Sequence, residues 1–126
     1  MRAVDTNVLV RLITRDQQKQ VASAEEFVAK GAWVSLLALA ETTWVLSAVY
    51  GRRPEDIANA LDMLLAHRHL SLQDPDVVSA ALTHFRRKPT LGFSDCLLVE
   101  IARKAGHLPM GTCDRDLGKV DGVERV

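Results

Sequence analysis

The chain has 126 residues, 48% of them apolar, 25% charged and 5% aromatic. That is the length of one domain able to bury a core, and the composition excludes disorder, collagen-like repeats and a disulfide scaffold. Sixteen Lys and Arg balance sixteen Asp and Glu, so nucleic-acid binding has no support from whole-chain charge and has to come from local basic patches.

In chain order, Arg2 to Asp5 read as a short strand that turns into a helix carrying Val8, Leu9, Leu12 and Ile13, with Thr6 or Asn7 as its cap. This start has neither the apolar run nor the cleavage site of an export signal, and two cysteines are too few to staple a secreted domain, so a reduced cytoplasmic setting is expected. Cys96 and Cys113 are both expected as small buried apolar residues. From residue 17 to 30, Val21, Ala24, Phe27 and Val28 recur at helical spacing before Gly31. Residues 32–34 read as a strand, after which Ser35 caps a long helix reaching Tyr50. Glu41 at the centre of that apolar stretch costs on the order of 3 kcal/mol in a bilayer, which makes a membrane span the poorer reading.

Pro54 opens a further helix that fades near His69, residues 70–72 form a candidate strand, and Pro75 opens a helix running to Lys88 and ended by Pro89. Ser94 is the expected cap of a helix with Leu97, Leu98, Ile101 and Ala105, closed by Gly106. Residues 108–113 and 123–126 complete the strands. Strands alternating with helices, without hairpin signals, predict a single α/β domain over residues 1–126 around a mostly parallel sheet.

Most acids fall on polar helix faces, but four are placed differently. Asp5 ends the first predicted strand and Asp114 follows a later one, both at the edge where open parallel sheets bind ligands. Glu41 has Leu37, Ala38, Trp44 and Val45 three and four positions away, which predicts that it points to the apolar side and needs a partner. Asp95 lies in a first helical turn, with Leu98 and Val99 at the same spacings. Singly, each has an ordinary explanation as a turn residue, a buried ion pair or a helix-dipole partner. Together they would repel one another unless a cation neutralised them, and oxygen donors without His or Cys select Mg²⁺ or Mn²⁺. The four histidines show no zinc spacing that includes a cysteine. There is no phosphate-binding loop, dinucleotide fingerprint or serine nucleophile elbow, and a D-x-D-x-T phosphatase lacks its second Asp.

Asp5-Thr6-Asn7 near the start, Ala40-Glu41, Ser94-Asp95 and Thr112-Cys113-Asp114 occur in an order and spacing that resemble PIN-domain proteins over the whole chain, and most closely the VapC-type toxin ribonucleases of type II toxin–antitoxin systems. The resemblance implies a three-layer α/β/α sandwich with a mostly parallel central sheet and an acidic pocket that binds Mg²⁺ or Mn²⁺ for RNA cleavage. By position it makes Asp5 and Asp95 the principal metal ligands, with Glu41 and Asp114 completing the catalytic set. Asn7 or the Thr6 hydroxyl is expected to orient Asp5. Thr112 aligns Asp114 with the strand end, which favours Asp114 over Asp116 as the fourth acid, and Cys113 stands where relatives often carry Phe. Arg11, Arg15 and Arg115 are candidates for drawing RNA, such as tRNA or another structured RNA, toward the pocket. The resemblance further implies a homodimer silenced by a VapB-type antitoxin. An RNA-processing nuclease without an antitoxin and a non-catalytic interaction module are the rival functions.

Overall fold

In the computed structural model, which describes all 126 residues, every strand is short and every strand pairing is parallel. The backbone divides into two compact units, Met1–Pro75 and Asp76–Val126.

The first unit contains β1 (Arg2–Ala3), α1 (Thr6–Thr14), α2 (Gln18–Val28), β2 (Ala32–Val34), α3 (Leu36–Ala48), α4 (Pro54–Ala66) and β3 (Leu70–Leu72). Its strands pair in the order β1-β2-β3, with Ala3 opposite Trp33 and Trp33 opposite Ser71. Parallel neighbours require crossovers, and the helix pairs α1–α2 and α3–α4 supply them. β2 and β3 both read buried, exposed, buried, the period of two that places Ala32, Val34, Leu70 and Leu72 on the core side. Leu9, Val28, Leu39, Leu46, Leu61 and Leu64 fill the rest of the interior. The start of α3 is fixed as expected: the Ser35 hydroxyl accepts from the Ala38 N–H at 3.0 Å, and the Gln73 side chain takes the Leu36 N–H at 2.9 Å. Two donors that a helix start leaves open are thereby satisfied. Arg2 holds β1 against α2, its guanidinium 3.8 Å above the Phe27 ring.

The second unit contains nearly all of α5 (Pro75–Arg87), then α6 (Phe93–Ala105), β4 (Met110–Thr112) and β5 (Val123–Arg125), with 3-10 turns at Pro89–Leu91 and Leu117–Lys119. Phe85 and Phe93 meet edge to face at 6.1 Å within its core. Glu100 is buried and remains acceptable there because Arg103 Nε donates to it at 3.1 Å and His84 Nε2 lies at 3.0 Å.

Three local expectations are corrected. The cap of α1 is Asp5 itself rather than Thr6 or Asn7: its backbone is extended and its side chain accepts from Val8 N–H. α6 starts at Phe93, after Gly92, whose φ of 79° is open to glycine and strained for serine, so Ser94 lies inside the helix. Cys96 is buried as expected, but Cys113 is exposed, because the chain leaves β4 at Thr112 and turns into the surface loop before Leu117. No helix is long and apolar enough to cross a membrane.

Candidate acidic site

In the first unit the site begins where β1 runs out. Asp5 Oδ1 accepts the Val8 N–H at 3.2 Å, which holds the carboxylate at the positive end of α1. One residue later, Thr6 Oγ1 donates to Glu41 Oε2 at 2.9 Å and ties α1 to α3. Thr6 therefore orients Glu41, and it is the backbone of α1 that orients Asp5. Asn7 is exposed and lines a groove of about 570 Å³ between α1 and α2 with Arg11, Lys19, Gln20 and Phe27.

Glu41 is exposed, and so are Leu37 and Trp44 one turn to either side. The expectation that it faces the apolar interior fails for a specific reason. α3 is apolar on every side, so its sequence holds no contrast from which the buried face can be read. Buried Ala38, Leu39, Thr42, Thr43 and Leu46 form the inner face.

The two early arginines are already engaged. The Arg11 guanidinium bonds Asp16 at 3.0 Å, the Tyr50 hydroxyl at 3.0 Å and Gln20. Arg15 pairs with Glu25 at 2.6 Å.

In the second unit, Asp95 sits half-buried in the first turn of α6. Burial pushes its carboxyl pKa up, and the negative charge of Asp114 pushes it further. Asp114 follows β4 and is fixed twice: its Oδ1 accepts the Leu117 N–H at 2.8 Å, and its own N–H donates to Thr112 Oγ1 at 3.1 Å. Asp116 instead pairs with Lys88 at 3.2 Å. Of the two acids in Asp114-Arg115-Asp116, Asp114 is thus the one whose charge is felt at Asp95, and Arg115 between them is exposed.

Sequence reasoning missed the Thr6–Glu41 link, which spans 35 residues, and the hold of Leu117 on Asp114. No local spacing signals the first. An Asp three residues before an apolar residue is a recognisable capping pattern and could have signalled the second.

Asp95 and Asp114 feel each other's charge, and no group of three or more metal-ligating side chains is preassembled. The donor chemistry fits a hard divalent cation: all four acids present oxygen alone, and Asp95 and Asp114 repel each other in a way that a bound cation relieves. Among proteins of known family, residues 2–123 match the one described as PIN domain, a span that runs through both units. No curated protein and no solved structure matches the chain.

Proposed function

The chain belongs to the PIN-domain family, and on that premise we propose that it is a metal-dependent endoribonuclease, the toxin of a VapBC-type toxin–antitoxin pair. PIN domains have a nuclease-type fold and generally depend on divalent metal. The observation that carries the reading is the Asp95–Asp114 pair. Burial and then the charge of Asp114 raise the Asp95 pKa, and neither acid forms an ion pair with Lys or Arg, whereas neighbouring Asp116 does. Asp114 also caps the Leu117 turn, but the mutual repulsion of the two carboxylates is a cost that a bound cation would relieve.

Asp5 and Asp95 are the proposed principal ligands of Mg²⁺ or Mn²⁺, completed by Glu41 and Asp114. Bound there, the cation supplies Lewis acidity toward the phosphodiester and a water acidic enough to attack it near neutral pH. The chain's own part is positioning. Thr6 holds Glu41 in one rotamer, the first turn of α1 holds Asp5, and Thr112 with Leu117 fixes the loop that presents Asp114. Neither cysteine is needed as a nucleophile. Exposed Arg115 is the proposed contact to substrate phosphate, with Arg11 and Arg15 shaping the α1–α2 surface. RNA, such as tRNA or another structured RNA, is the proposed substrate; a VapB-type antitoxin and a second copy of the chain are the proposed protein partners, in the cytoplasm.

The test is cleavage of purified tRNA and total RNA by the isolated protein with Mg²⁺, Mn²⁺ or EDTA, beside Asp5→Asn and Asp95→Asn. Metal-dependent cutting lost in both variants is the expected result and separates this protein from contaminating ribonucleases. A folded protein that neither binds Mn²⁺ nor cuts RNA is an interaction module instead. Growth arrest on expression, relieved by Asp5→Asn and by a small gene encoded upstream, tests the toxin role.

A further inference from the structure

α3 exposes a row that soluble helices rarely leave open. Leu37, Glu41, Trp44 and Ala48 are spaced four, three and four residues apart, so they line one side of the helix, and all four are exposed. Leu37 is 69% and Trp44 66% accessible, far beyond the scattered single apolar residue of an ordinary surface.

The chemistry of the row says what covers it. A second helix laid along it would desolvate Glu41, of which only Oε2 has a bonded partner, Thr6. A two-fold pairing centred on the row would also bring two Glu41 carboxylates together. A strand of RNA leaves Glu41 in water, because a base covers an aromatic ring face to face while its sugar and phosphate stay solvated, and the cost is limited to the screened repulsion between phosphate and carboxylate. Trp44 lies three residues from Glu41, about 4.5 Å along the helix axis, so a nucleotide whose base rests on the indole keeps its backbone beside that carboxylate. The charge agrees. α3 is followed by Arg52-Arg53, and Arg53 is exposed with only a 3.6 Å pair to Asp56, which leaves positive charge for the next phosphate along the strand.

We propose that this face of α3 is a stacking platform for an unpaired nucleobase of the substrate, with Trp44 as the residue on which the base lies. The proposal rests on the nuclease reading above and adds to it the residue on which an unpaired base of the substrate is held.

The test uses the full chain with Trp33→Phe, which leaves Trp44 as the sole tryptophan, and Asp5→Asn, so that RNA is bound in Mg²⁺ without being cut. An unstructured RNA dodecamer is expected to quench the Trp44 emission, and the same sequence as a duplex is not. Trp44→Leu is expected to weaken single-strand binding by about 5- to 150-fold, and Trp44→Phe by far less. In the otherwise wild-type enzyme, Trp44→Leu raises KM and leaves kcat nearly unchanged. Binding without quenching, with affinity indifferent to Trp44→Leu, overturns the proposal. So does a Trp44→Leu protein that sediments as a smaller species while binding RNA normally, which gives the face to a second copy. If the wild-type chain neither binds nor cuts RNA, the nuclease reading falls with it; if it cuts and Asp95→Asn does not, only the stacking role is at stake.

Discussion

Asp95 is raised by burial and by Asp114, so its proton stabilises the fold and its ionisation costs stability. That contribution is complete below the ordinary carboxyl value of 3.8 and is lost as pH rises through the elevated folded value. Asp95→Asn, which never ionises, is therefore expected to melt above the wild type at pH 7 without metal, with the gap closing toward pH 4. Mn²⁺ is expected to raise the melting temperature of the wild type and not that of the variant; thermal scans from pH 4 to 8 with and without Mn²⁺ check both. The two thiols differ as sharply. Burial, with the charges of Asp95 and Glu100, pushes Cys96 up to about 11, whereas Cys113 lies in the open. One thiol per chain is expected to react with a disulfide reagent at pH 8, the other only after denaturation, and Cys113→Ser removes the fast one. The sequence placed Asp5, Asp95 and Asp114 correctly at strand ends and a helix start, because those positions follow from local signals. It could not show that Thr6 serves Glu41, since that bond depends on how α1 packs against α3.

Among the elements, α3 carries the most structure for its length. Its inner side chains are sealed, and Leu39→Ala is expected to cost about 3 kcal/mol, the usual loss for a core leucine that leaves a cavity. Ser35→Ala removes one cap bond and is expected to cost about 1 kcal/mol. Urea unfolding of both variants checks the ranking. Helix existence was legible throughout, from apolar spacing together with Pro54, Pro75, Gly31 and Gly106. The facing of α3 was not, because periodicity informs only where polar and apolar sides contrast. The start of α6 was misjudged by two residues for a different reason: a left-handed glycine can begin a helix without any side-chain cap, and Ser94 two positions after it is a decoy.

At the scale of the molecule, zero net charge removes long-range steering, so RNA is gathered by a few local cations. The slope of log K against log salt is expected to stay shallower than about −4, which filter binding between 50 and 300 mM salt measures. The alternation of strand and helix was readable from end to end. The division of the strands into a set of three and a set of two was not, because runs of two or three residues carry too little pattern to name their neighbours. The double duty of Asp5 reaches into genetics. Its carboxylate caps α1 as well as belonging to the acidic set, and asparagine caps a helix equally well. A single G-to-A transition converts an Asp codon to Asn, so the change proposed to remove activity while sparing the fold is one of the most accessible in its gene. On the proposed toxin reading, cells selected for escape are expected to carry Asp5→Asn more often than Asp5→Ala, and sequencing of escape clones beside a fold assay of the protein checks this.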